Sequence, residues 1–386
     1  MNTTELIYLD HAAATPVDER VVAAMQPYLT EKFFNPSSPY AAAVEVRRDY
    51  EAAKHGIAKI IGVQKDELIM TAGATESINL AFSAAGNGHV VTSEIEHASV
   101  LMRANQFSHT LISPTEKGIV TAEAIAKALT PETTFVSIAL ANNELGTIQP
   151  IRQIAQVIET ERARRSEAGE KTPLYFHADG SQAAGSLDLH VNKLGLDLLT
   201  LSAGKIYGPK QVGLLWAAPS VDLRPEIVGG GQERGLRSGT ENVAGVIGFA
   251  KALELVTTHQ KTESKRLGEL RDKVQSRLEE HFPDMLVLGS AKKRLAHFLT
   301  VAFPALDAER IIFAAETRGL CVATGSACAA NSGTRSHVLV AIGLEPDIAD
   351  GSLRLSFGRL SNEENSQKAV EILIEIIDAE RARSHR

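Results

Sequence analysis

From Glu67 onward, short apolar runs alternate with helical stretches, and this alternation limits the possible folds more than any other feature. Leu68-Ile69-Met70, His89 to Thr92, Phe135 to Leu140, Leu174 to Asp179 and two runs flanking Lys205 (Leu198 to Leu201, Gly213 to Ala217) read as strands. Between them lie a helix running on through Leu80 and Phe82, one opened by Glu96-His97-Ala98-Ser99, and a long amphipathic helix from Pro150 to near Gly169. Such a chain buries its strands only as a mainly parallel sheet with helices on both faces. Upstream, Tyr8-Leu9-Asp10 is a short strand, Pro16, Asp18 and Glu19 start a helix running to about Leu29, and a second helix spans Ala41 to about Ile61. After Gly229 long charged helices (Glu263 to Phe282, Glu363 to Arg381) alternate with a few strands (Phe298 to Phe303, Leu320 to Ala323, Leu353 to Phe357). That change predicts a smaller α+β domain: residues 15–255 form the large domain, and 1–14 with 256–386 the small one.

The 386 residues are enough for both units. A net charge of −7 opposes a general nucleic-acid surface, which needs clustered Lys and Arg. The basic runs Arg162 to Arg165 and Lys292 to Arg294 read as solvated helix faces or turns. No apolar stretch approaches the roughly 20 residues that span a bilayer, and the first residues carry neither a basic nor an apolar signal region, so a cytoplasmic protein is expected. The two cysteines, Cys321 and Cys328, make no disulfide framework, and no Cys/His cluster has metal-binding spacing.

In open α/β sheets a ligand sits beyond the carboxyl ends of the strands. There the sequence places Thr75, His97, Asn143, Asp179 with Gln182, Ser202 with Lys205, and the segment from Gly229-Gly230-Gly231 to Thr240. Gly73-Ala74-Thr75 opens a helix and so offers free N–H groups and a hydroxyl to a phosphate; Ser202 and Thr240 add hydroxyls. Neither a Walker loop nor GxGxxG is present, which disfavours nucleotides and a nicotinamide oxidoreductase. Lys205 sits at a small-residue corner between two apolar runs, where loss of water lowers a lysine pKa and makes its amine nucleophilic. The bland alternatives are a solvated loop lysine and a helix-capping Asp179. Together the two residues suit pyridoxal phosphate, which needs a lysine for its Schiff base and an acid for its pyridinium nitrogen.

Taken with Glu96-His97, Asn142-Asn143-Glu144-Leu145-Gly146, His177-Ala178-Asp179, Lys205-Ile206-Tyr207-Gly208-Pro209, Gly239-Thr240 and Gly325-Ser326-Ala327-Cys328, the chain resembles the cysteine desulfurases. These belong to the class V aminotransferase group of fold-type I pyridoxal-phosphate enzymes. The resemblance runs from Tyr8 to Arg359 and implies a seven-stranded-type large-domain sheet and conversion of L-cysteine to L-alanine. It implies that Lys205 bonds the cofactor and moves protons, that Asp179 pairs with the ring nitrogen, and that Gln182 and Asn143 address the ring oxygen. His97 stacks on the ring as an acid/base candidate. Ala74, Thr75 and Ser202 hold the phosphate, joined by Thr240 of a second subunit in a homodimer. Arg354, with Asn143, binds the substrate carboxylate. Cys328, on a small-residue loop of the small domain, takes the sulfur as a persulfide and passes it to an acceptor protein for iron–sulfur assembly or tRNA thiolation. Cys321, in an apolar run, reads as an inert core cysteine.

Two positions depart from the family. Gly204 stands where relatives carry a histidine that donates to the phosphate, a bond worth roughly 1.5–3 kcal/mol, with the Gly204 N–H as a partial substitute. Tyr40 also replaces a histidine. The alternatives left open are a selenocysteine lyase or another class V lyase or aminotransferase, and a non-catalytic docking subunit. The intact Cys328 loop opposes an aminotransferase, and intact Lys205, Asp179, Thr75 and Cys328 oppose a docking subunit.

Overall fold

A computed structural model describes residues 6–324 and 335–384; Cys328 and its loop lie outside the described residues. The strands are β1 (Ile7–Tyr8), β2 (Leu68–Thr71), β3 (His89–Ser93), β4 (His109–Ile112), β5 (Thr133–Ser137), β6 (Tyr175–Asp179), β7 (Leu198–Ser202), β8 (Gly213–Ala217), β9 (Leu286–Val287), β10 (Phe298–Ala302), β11 (Leu320–Cys321) and β12 (Ser352–Ser356). Seven of them form one sheet in the order β2-β8-β7-β6-β5-β3-β4. Its β3 to β7 core is parallel, while β8 runs antiparallel to both β7 and β2. The sheet is therefore mostly parallel, and its antiparallel corner is the one that carries Lys205. Strands β2, β3, β5 and β8 are buried along their whole length, as a sheet covered on both faces requires.

A second core lies C-terminal to this sheet. There β12, β10 and β9 form an antiparallel sheet, and β1 pairs in parallel with β11. Helix Val243–Thr258 gives Val246, Phe249 and Leu253 to the core of the large sheet, whereas helix Gln260–His281 gives Leu267, Leu270 and Val274 to the second core. Only His259 separates the two helices.

Several boundaries differ from the sequence reading for identifiable reasons. The helix read as continuous to Leu29 is two, Glu19–Met25 and Pro27–Thr30, because Pro27 has no N–H to continue the first. The strand read to Leu140 ends at Ser137, and the Ala139 N–H turns instead to the Glu96 carboxylate at 3.0 Å. Arg165 is not solvated. It is buried, pairs with Glu161 at 2.7 Å, and donates to the Thr130 and Thr133 carbonyls at 2.9 and 2.8 Å. Cys321 is a half-buried free thiol whose pKa is pushed up by burial. Among the described residues no helix is long and apolar enough to cross a membrane.

Candidate active site

The carboxyl ends of β2, β6 and β7 open on a cavity of about 1210 Å³. Ala74, Thr75, His97, Asn143, Asp179, Gln182, Ser202, Lys205 and Arg354 all line it. Thr240 does not. It is exposed, on the loop before helix Val243–Thr258.

Lys205 closes a single helical turn, Ala203–Lys205, between β7 and β8. Its Nζ donates to the carbonyls of Ala12 and Ala13 at 2.9 and 2.7 Å, so the segment after β1 forms the wall opposite the sheet. The rest of its motif holds the corner. Tyr207 takes φ 64°, which costs a side-chain-bearing residue on the order of 1–3 kcal/mol and needs outside support. That support is three hydrogen bonds and one stacked cation. The Tyr207 N–H donates to Thr15 Oγ1 at 2.8 Å and its carbonyl accepts from Asp18 N–H at 3.0 Å. Its hydroxyl accepts from Arg359 N–H at 2.9 Å, and the Arg359 guanidinium lies 4.3 Å from its ring centroid. On the far side of this corner is a smaller cavity of about 330 Å³, which Lys205 also borders.

The phosphate-like end is built from backbone. Gly73, at φ 143°, turns β2 into helix Ala74–Phe82, whose first N–H groups have no acceptor within the helix. Strand β8 comes so close that a Cβ on Gly213 would lie 2.6 Å from the Gly73 carbonyl carbon. Glycine at both positions therefore lets the corner and the helix start meet.

Asp179 ends β6 and accepts the Ser181 N–H at 2.9 Å. Two residues back, on the same face, His177 is fully buried: Nδ1 meets Ser137 Oγ at 2.8 Å and Nε2 meets Thr200 Oγ1 at 2.9 Å. Burial pushes its pKa down to about 3, so a neutral imidazole ties β5, β6 and β7 together under Asp179. His97 caps helix Ala98–Ala104, its Nδ1 accepting the Ser99 N–H at 3.1 Å. That contact places the proton of a neutral ring on Nε2. Burial lowers the His97 pKa; Asp179 acts against this, while Lys205 and His337 add to it. Gln182 Nε2 shares the Ala12 carbonyl at 3.0 Å. Arg354, in β12, is buried and donates to the Asn143 carbonyl at 2.9 Å and to Asp10 at 2.7 Å.

The site has members that sequence reasoning left without a role. Glu144 is buried on the cavity wall, accepts from the Ser336 hydroxyl, and burial raises its pKa. His337 lines the same cavity and contacts the Glu96 carbonyl at 2.9 Å. Asp10, Glu96, Glu144 and His177 all fall inside motifs quoted above, but nothing in those motifs separates a buried brace from a reacting group.

Glu96 lies under the cavity. It accepts from Ser93 Oγ at 2.7 Å, and burial pushes its carboxyl up to about 8, reinforced by Asp179 and opposed by the Ser93 and Ala139 bonds. A raised carboxyl is neutral in the folded chain while the unfolded chain ionises. Its stabilising share is therefore full below the ordinary value of 4.5 and is lost as pH rises through about 8, at most about 1.4 kcal/mol per pH unit. Glu96→Gln keeps the bonds without the charge. Thermal melts between about pH 5 and about pH 8 should show that decline in the wild type and a flatter profile in the variant. Equal slopes would place the Glu96 carboxyl in its ordinary range.

The sequence profile of the class-V aminotransferases matches residues 7–368. A cysteine desulfurase, IscS, of Dictyoglomus turgidum is 38% identical over 96% of this chain and 94% of its own length. Among solved structures, a NifS-like protein superposes with a TM-score of 0.89 at 31% identity, covering 97% of this chain and 100% of that one. SspA in complex with cysteine superposes with a TM-score of 0.78 at 32% identity, covering 91% and 98%.

Proposed function

Because this chain belongs to the class-V aminotransferases, and to the cysteine desulfurases among them, we propose that the cavity around Lys205 converts L-cysteine to L-alanine and that Cys328 takes the sulfur. The protein is a pyridoxal-phosphate enzyme. The observation that carries the assignment of residues is the convergence of Lys205, Asp179, His97 and the amide-lined start of helix Ala74–Phe82 on one cavity.

The donor set fits the cofactor. Ala74, Thr75 and Ser202 would hold the phosphate at the helix start, Asp179 would keep a proton on the ring nitrogen, and Asn143 and Gln182 would face the ring oxygen. Bound there, pyridoxal phosphate supplies an electron sink for bonds breaking at the substrate carbons. Lys205 then carries protons at the substrate α-carbon, because it lines the same cavity as Asp179 and the helix start. His97 lines the cavity and would offer a neutral ring to the bound cofactor. Arg354 clamps the substrate carboxylate, and its bonds to Asp10 and Asn143 fix the guanidinium in advance. The Cys328 thiolate attacks the substrate sulfur; a sulfur–sulfur bond forms, the carbon–sulfur bond breaks, and the freed carbon takes a proton to give alanine. A sulfur-acceptor protein serving iron–sulfur assembly or tRNA thiolation in the cytoplasm would receive the persulfide.

The reading includes a homodimer in which Thr240 reaches a second copy's phosphate. Two features support it: Thr240 is exposed and is not among the residues lining its own cavity, and Leu29, Phe33 and Tyr40 are 51–69% exposed as an apolar surface. It also divides the chain into a large domain, residues 15–255, and a small one, residues 1–14 with 256–386, that brings Arg354 to the cavity.

The test is an absorption spectrum of the purified protein before and after L-cysteine, with alanine and reductant-released sulfide measured. A visible cofactor band that shifts, with both products formed, is expected. A colourless protein that pyridoxal phosphate cannot restore would overturn the reading.

Gly204 adds a gain-of-function prediction. A Cβ there meets only Lys210, at 3.7 Å, in ordinary van der Waals contact, and Gly204 lines the cavity. Gly204→His should tighten the cofactor about 10- to 100-fold, the equivalent of one hydrogen bond to a charged group. Equilibrium titration of the apoprotein measures this; unchanged affinity would mean that the phosphate does not lie beside residue 204.

A further inference from the structure

The glycine-rich loop 229–240 holds a shape that its own backbone resists. Glu233 and Arg234 have φ of 47° and 62°, in the left-handed region that residues with a Cβ avoid. Such a turn persists only where its surroundings over-determine it. Here the Glu233 carboxylate does so. From a largely exposed loop its side chain reaches back until only 6% of it is accessible. Oε1 accepts from the Tyr50 hydroxyl at 2.6 Å, while Oε2 accepts from Lys54 Nζ at 3.0 Å and from the Met70 N–H at 2.8 Å. Tyr50 and Lys54 are one turn apart on helix Ala41–Ile61, and Met70 lies in β2, just before the phosphate-like helix start.

From this anchor the constraint passes to the residues before Thr240. The Gly239 N–H donates to Gln232 Oε1 at 3.0 Å, the Gly231 N–H to Ser238 Oγ at 3.3 Å, and Arg237 Nε to Glu76 at 2.8 Å. Immediately after Thr240, Glu241 has a buried carboxylate oxygen with no partner among the described residues. The loop is thus fastened to its own chain on both sides of Gly235.

We propose that Glu233 is a positioning residue for the neighbouring subunit: its buried clasp on Tyr50, Lys54 and Met70 sets where Thr240 meets the cofactor phosphate of a second copy of this chain. The proposal rests on the homodimer reading above. Its signature is an effect in trans, which a merely structural role would not produce.

The test uses mixed dimers in which one protomer carries Lys205→Ala, so a single site can bond the cofactor. The rate of cofactor release from that site is read by loss of its lysine-bound absorption. Adding Glu233→Ala to the Lys205→Ala protomer should accelerate release from its partner about 10-fold or more, as expected for a displaced donor to a charged group. Adding Glu233→Ala instead to the protomer that keeps Lys205 should change release less. Tyr50→Phe, which removes one of the three contacts, should repeat the pattern more weakly and serves if Glu233→Ala does not fold. A cis effect equal to or larger than the trans effect overturns the clasp. A reference dimer, with Lys205→Ala alone, that holds no cofactor overturns the shared-site reading and the clasp with it.

Discussion

Lys205→Ala lowers alanine formation on the order of 10²- to 10⁴-fold, the range typical of removing a positioned acid–base group, and the lysine-bound cofactor band disappears. The loss belongs to chemistry and not to folding. The Nζ donates to two carbonyls on the cavity wall, and one of them, Ala12, keeps its second donor, Gln182 Nε2, at 3.0 Å. The corner itself is held by the bonds that Thr15, Asp18 and Arg359 make to Tyr207, and these do not involve the lysine side chain. The melting temperature should therefore stay close to that of the wild type, measured by circular dichroism beside the turnover assay. Cys328→Ser gives the contrasting result: the band remains and shifts with cysteine, but no persulfide forms and sulfide is lost. If Lys205→Ala still makes alanine at the wild-type rate, the proton carrier is another residue. If Cys328→Ser stays fully active, sulfur leaves without passing through that thiol.

Arg354→Met should produce the largest loss of stability together with a rise in KM for cysteine. The Arg354 side chain is 3% exposed and its partner Asp10 18%. Removing one member of such a pair leaves an uncompensated charge, at a cost of about 3–5 kcal/mol, toward the lower end here because water reaches part of Asp10. Urea unfolding measures it, and Asp10→Asn in the same chain should recover part of the loss. The rise in KM tests the clamp separately. A destabilised variant with unchanged KM would leave Arg354 as a brace between β12 and the Asn143 turn, with the carboxylate bound elsewhere.

Much of this site was legible in one dimension because strand–helix alternation leads to a parallel sheet, and a parallel sheet puts its functional groups at strand ends. Lys205, Asp179, Thr75 and Asn143 were found by that rule, and the resemblance added Arg354. What stayed hidden was burial between segments distant in sequence. Arg165 lies in a basic run yet is buried against the Thr130 and Thr133 carbonyls. Glu96 and Glu144 lie inside the quoted motifs, where nothing marks them as buried, yet both are buried, with raised carboxyl pKa values. Glu233 lies in a loop whose glycines draw attention away from it.

The strand–helix alternation, the lysine at a strand corner and an acid at a neighbouring strand end were legible in the sequence alone. Apolar periodicity, Gly/Pro punctuation and residue chemistry are local properties, and they persist in any fold the chain adopts. Tertiary structure decided which carboxylates are neutral, which cations are solvated, and that the Ala12–Ala13 segment closes the cavity over Lys205. It also decided that Thr240 is exposed and does not line the cavity of its own chain. These outcomes depend on desolvation and close approach between residues 30 to more than 300 positions apart, as in the pairing of Asp10 with Arg354. Such energies do not exist until the chain has folded.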